Sequence, residues 1–95
     1  MTRQRAVVGA MGDGENALTV ARRLRDEGRE VVLVGGDQTA DQLVRTALAE
    51  DADELVVCDL DVDLAELESV RLRLGADGLR VMTSGVTDPT RQDHR

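Results

Sequence analysis

The chain has 95 residues, enough for one small domain, and contains no Phe, Trp or Tyr. Its core therefore has to be assembled from Val, Leu, Ala and Met. Nineteen acidic residues stand against 12 basic ones, a net charge of −7. That charge repels phosphate backbones, and the missing aromatics remove the stacking platforms for single strands, so nucleic-acid binding is not expected. No apolar run approaches the ~20 residues of a membrane span, and no signal-peptide pattern is read. Cys58 is the single cysteine, so no internal disulfide is expected, which fits a cytoplasmic location. The one histidine, His94, sits in a polar tail, which excludes a Cys/His zinc site and a Ser–His triad in the body of the domain. Every basic residue is Arg, so lysine chemistry is excluded too.

Strand and helix patterns alternate along the chain. Arg5 to Ala10 is a short apolar run of the kind buried on both faces. Gly12-Asp13-Gly14 marks a turn, and a helix is predicted from about Glu15 to Glu27, with Ala17, Val20, Ala21 and Leu24 inward. Gly28 is placed to stop it. Glu30 to Val34 is the second strand, closed by Gly35-Gly36. Thr39 with Gln42 reads as a capping box for a helix to about Glu50, its stripe being Leu43, Val44, Ala47 and Leu48. Glu54 to Cys58 is the third strand. A third helix is expected from about Asp63 to Leu74, with Leu64, Leu67, Val70 and Leu74 inward. Leu79 to Thr83 is the fourth strand, and a polar stretch follows Gly85.

This alternation predicts an α/β fold, a flavodoxin-like (Rossmann-like) open parallel sheet of about four strands with three crossover helices. Residues 1–86 are read as the domain and 87–95 as a tail. Such sheets bind ligands beyond the carboxyl ends of the strands. Here those ends are Met11–Asn16, Gly35–Gln38, Cys58–Asp61 and Thr83–Val86.

Four features at or near these ends are candidates. The Gly12–Asn16 loop reads either as a glycine-eased cradle for an anion or nucleotide, or as a tight turn whose Asp13 and Glu15 suit the positive helix end. Asp59 stands where a two-component receiver domain carries its phospho-acceptor, with Thr83 or Ser84 at the receiver's hydroxyl position. Against that reading, the chain has no Lys and only Asp13 to help hold Mg²⁺. Cys58, beside an acidic turn, is expected to be an unreactive core thiol with a raised pKa. The acidic residues around the third strand, Asp51, Asp53, Glu54, Asp59, Asp61 and Asp63, read as a solubilising rim.

One stretch says more. Gly35, Gln38, Thr39, Val44-Arg45, Ala47 and Glu50-Asp-Ala-Asp53 resemble the cobalamin-binding domain of methylmalonyl-CoA mutase-type enzymes, and the resemblance runs from the first strand to Gly85. It implies the fold above. It also implies a site on Asp13, Gly14, Glu15, Asp59, Leu60, Ser84 and Gly85 if cobalamin binding is retained. The family's signature is Asp-x-His-x-x-Gly, in which the His ligates cobalt and the Asp orients it. This sequence has Asp13-Gly14-Glu15-Asn16-Ala17-Leu18. Glu15 therefore takes the ligand position, and Leu18 takes that of a glycine against which the nucleotide tail lies. The family's Ser-x-Leu is Cys58-Asp59-Leu60, which puts a charge near the place of a small hydroxyl, and its Gly-Gly after the fourth strand is Ser84-Gly85. The fifth β–α unit has no counterpart.

The expectation is a stand-alone, degenerate and shortened relative of that domain. It would be a non-catalytic accessory subunit of a mutase-type or biosynthetic enzyme, with no metal and no His-ligated cofactor. A protein partner or a second copy would pair through an exposed sheet edge. The alternatives are a true cobalamin-binding small subunit, holding the cofactor without the usual His, and a receiver-like signalling domain.

Overall fold

The computed structural model describes residues 4–59 and 62–83. Four strands and three helices alternate: β1 (Arg5–Gly9), α1 (Ala17–Asp26), β2 (Glu30–Gly35), α2 (Ala40–Ala49), β3 (Glu54–Val57), α3 (Leu64–Arg73) and β4 (Arg80–Thr83). All strand pairs are parallel, in the order β2-β1-β3-β4. This is the flavodoxin-like arrangement. The direction of strand addition reverses between β2 and β3, so right-handed crossovers must place α1 on one face and α2 with α3 on the other.

The two faces carry separate apolar layers. Ala6, Val8 and Ala10 with Val56 and Cys58 pack under Ala17, Val20, Ala21 and Leu24 of α1. Val7, Leu55 and Val57 pack under Leu43, Val44 and Ala47 of α2 and Leu67 and Val70 of α3. The alternation along β1 and β3 is the period-two geometry of a strand buried on both sides. Two expected core positions are corrected. Leu48 and Leu64 are 44% and 48% exposed. Leu48 falls at the outer margin of the α2 stripe, and Leu64 is the first helical residue of α3, ahead of the turn that packs on the sheet.

Local signals set the helix ends. The Thr39 hydroxyl accepts from the Gln42 N–H at 3.0 Å while the Gln42 side chain accepts from the Thr39 N–H at 2.8 Å, the expected capping box. Asp63 caps α3 through the N–H of Glu66. Asp41 on α2 joins Arg45 and reaches Arg73 of α3. The Arg45 guanidinium foremost, with Arg73, holds the Asp41 carboxyl below its usual value. Both ion pairs are exposed and contribute little to stability.

Glu54 departs from its expected place in an exposed rim. It is 2% exposed and begins β3 on the α1 face. Its two oxygens accept from Arg29 at 2.5 Å and from Arg80 at 2.8 Å. Those arginines come from the loop before β2 and the start of β4 and keep part of their surface in water. The carboxylate is thus satisfied while the charge of the trio stays in contact with solvent.

Removing the carboxylate leaves two cations facing a small void. Glu54→Ala is expected to cost about 2 kcal/mol, below the ~3–5 kcal/mol of a fully buried broken pair because both arginines can reach water, and to lower Tm by roughly 8–15 °C. Glu54→Leu, which refills the volume, is expected to cost less. Urea and thermal unfolding of the three proteins measure the order.

Candidate functional site

The carboxyl ends of β1 and β3 lie side by side, where the strand order reverses. The sequence dictates close packing there. Gly36, after β2, sits so near the β1–α1 loop that a Cβ on it would lie 2.5 Å from the Asp13 carbonyl oxygen. Gly14 has a φ of +75° and would bring a Cβ to 2.7 Å from the Gly36 nitrogen. Hydrogen bonds stitch the loops together: Ala10 N–H to Gly35 O at 2.9 Å, Asp37 N–H to Gly12 O at 2.6 Å and Gln38 N–H to Ala10 O at 3.1 Å. Gly35-Gly36 was legible only as the end of a strand; its contact with the first loop is long-range.

Asp59 enters this crevice from the other side. Its Oδ2 accepts from the Met11 N–H at 2.7 Å and its Oδ1 accepts from the Gly12 N–H at 3.0 Å. One carboxylate therefore takes two successive backbone donors of the β1–α1 loop. These amide partners were not apparent from the sequence, since Asp59 follows them by 48 and 47 positions. Asp13 bonds within its own loop, its Oδ1 accepting from the Glu15 N–H at 3.0 Å. That is an Asx turn. The Asp13 and Glu15 side chains are exposed, and Gly14 is half-buried. The structure thus brings Asp59 to the first loop and leaves Asp13 and Glu15 pointing to water. Leu60, Ser84 and Gly85, with residues 87–95, lie outside the described residues.

Cys58 is 4% exposed in the α1-side layer. Burial foremost, then the charge of Asp59, pushes its thiol up to about 11, with Arg23 opposing. The position matching the family's serine is therefore a core side chain, and the charge is delivered by its neighbour.

These residues do not fit a cobalt-ligating site of the kind the resemblance implies. An exposed carboxylate stands at Glu15 in place of imidazole, and the Met11 and Gly12 amides at the crevice are already engaged by Asp59. Leu18, at the position of the family's glycine, is on the first turn of α1 and 45% exposed. A receiver-like reading is not favoured either, because the Asp59 oxygens are both bonded to the main chain. Among the described residues no group of His, Cys, Asp or Glu is placed to hold a metal ion, and no helix is long and apolar enough to cross a membrane.

Two broad clefts open at the opposite, amino-terminal end of the sheet. One, about 520 Å³, is lined by Arg5, Arg29 and Glu30 among others. The other, about 680 Å³, is lined by Arg71, Arg80 and Glu54 among others. Arg5, Arg29, Arg71 and Arg80 are each already paired with a carboxylate, which leaves Arg25 at the first cleft as the one lining arginine without an ion pair among the described residues. The carboxyl end of the sheet remains the better candidate.

Fold and site together define a flavodoxin-like α/β domain with a carboxylate-filled switch point. No protein-family model matches the chain. It is 38% identical over 85 residues to the 2-hydroxyisobutanoyl-CoA mutase small subunit of Aquincola tertiaricarbonis, a stretch that takes in 85% of this chain and 62% of that protein. The chain therefore matches less than two thirds of the length of this curated relative.

The raised thiol pKa has two measurable effects. At pH 8 on the order of one native Cys58 in a thousand is thiolate, against about one in ten for an ordinary thiol. Iodoacetamide is expected to label the native protein far more slowly than the urea-unfolded chain. Between the ordinary value of 9.0 and about 11 the unfolded state gives up a proton that the folded state keeps, so stability falls as pH rises through that window. Urea titrations at pH 8 and pH 10.5 are expected to show this fall, and Cys58→Ala to reduce it.

Proposed function

We propose that this chain acts as a small, non-catalytic subunit of an acyl-CoA mutase-type enzyme. In this reading it is a cobalamin-binding-domain-like module that docks on a larger subunit and supplies no protein ligand to cobalt. Residues 1–86 form the module and 87–95 a polar tail. The observation that carries the reading is the 38% identity to a mutase small subunit. It is supported by a β2-β1-β3-β4 parallel sheet of the kind the sequence resemblance implies. The site residues argue for the accessory role. Glu15 replaces the ligating imidazole, Asp59 is committed to the Met11 and Gly12 amides, and among the described residues the one thiol near the crevice, Cys58, is buried with a raised pKa.

Docking through the β4 side of the sheet is consistent with this role. Among the described residues β4 is bonded to β3 alone. Met82, in register with Val56 on the face that carries α1, is 43% exposed. An edge strand with an exposed apolar side chain favours pairing with another chain.

Two measurements test the proposal. The purified chain is mixed with hydroxocobalamin, desalted and scanned in the visible range. No corrin band is expected to stay with the protein; a retained band would overturn the non-ligating reading in favour of a subunit that holds the cofactor with its own base on. In the second, the chain is run by size exclusion with the large subunit of a 2-hydroxyisobutanoyl-CoA mutase. Co-elution is expected, and separate elution over micromolar concentrations would remove the docking claim.

A further inference from the structure

We infer that the Asp59 carboxylate is a built-in anion, which fills the amide pair of Met11 and Gly12 at the switch point and so keeps external anions out of this crevice. The inference goes beyond the subunit reading and stands independently of it. Successive backbone N–H groups at the end of a β-strand, beside a glycine turn, form the kind of concavity that binds phosphate or carboxylate groups. Here both donors of Met11 and Gly12 are satisfied at 2.7 and 3.0 Å by the two oxygens of one side chain. A carboxylate spanning two amides is the arrangement an anionic ligand would make, supplied from within the chain.

Three features hold the carboxylate in place. Cys58, the residue before it, is buried in the α1-side layer, and its N–H donates to Gly9 O at 2.9 Å, which fixes the main chain that carries Asp59. The receiving loop is fixed in turn by the Asp37 N–H on Gly12 O and by the approach of Gly36 to Asp13. Gly12 also leaves room for the oxygen, since a Cβ there would lie 3.0 Å from Asp59 Oδ1. An external anion would have to displace a tethered one. The effective concentration of a tethered group is commonly in the millimolar range or above, so weakly binding free anions are excluded.

Amide-resolved NMR with inorganic phosphate as the probe tests this. In the native chain the Met11 and Gly12 amide protons are expected to be protected from exchange, and their resonances to stay fixed when phosphate is added to tens of millimolar. In Asp59→Ala their protection is expected to fall by roughly tenfold or more, the size of one lost charge-assisted hydrogen bond, and both resonances to move saturably with phosphate. Asp59→Asn keeps the shape and one acceptor. It is expected to fall between the two, and it serves as the measurement if the alanine variant does not fold. Phosphate shifts of equal size in the native chain would overturn the inference, because the amides would then be open. A variant whose Met11 and Gly12 amides lose protection without responding to phosphate would also overturn it, reducing Asp59 to a loop fastener.

Discussion

The absence of aromatic side chains constrains everything else in this molecule. Its two apolar layers are made of Val, Leu and Ala with one Cys, and each side chain buries little surface. A sheet held only by such layers has a thin stability margin, since a domain of this size buries roughly 60–65% of the surface its unfolded chain exposes. Polar contacts then matter at the places the layers do not reach. The structure puts them at the two ends of β3. Glu54 gathers Arg29 and Arg80 at the start of the strand, and Asp59 gathers the Met11 and Gly12 amides just beyond its end. A strand of four residues is thereby fastened at both ends to neighbours on either side.

The same economy explains the site. Small residues let loops approach closely, and Gly14 and Gly36 bring the first two loops into main-chain contact. That leaves a narrow crevice, which one carboxylate can fill. The charge that closes it also helps to keep the adjacent thiol protonated, so Asp59 secures the loop and suppresses a potential nucleophile beside it.

Much of the fold was legible because its signals are local. Thr39 and Gln42 are three positions apart and make the capping box they announce. Ala17, Val20, Ala21 and Leu24 form the buried stripe their spacing describes. Spacing fixes the centre of a stripe better than its width, and so Leu48 and Leu64 were placed inside when they lie outside. The site was less legible. Asp59 was visible as a charged residue at a strand end, but its partners are backbone amides, which carry no side-chain signature. Glu54 was hidden for a similar reason. In sequence it is one acid among several, and its two arginines are 25 and 26 positions away on either side.

Glu54 has a consequence for how the chain avoids error. Side chains alternate between the faces of a strand, so a slip of one residue in β3 would exchange its two sets. The carboxylate would turn toward the layer beneath α2 and α3, against Leu43 and Leu67, and leave Arg29 and Arg80 behind on the other face. Burying an unpaired charge there would cost several kcal/mol, comparable with the whole stability of a small domain. An apolar residue at this position would pack tolerably on either face and give no such penalty. The buried acid thus acts as a proofreading mark, making the misaligned sheet unaffordable in a chain whose aliphatic side chains are too alike to tell one alignment from the next.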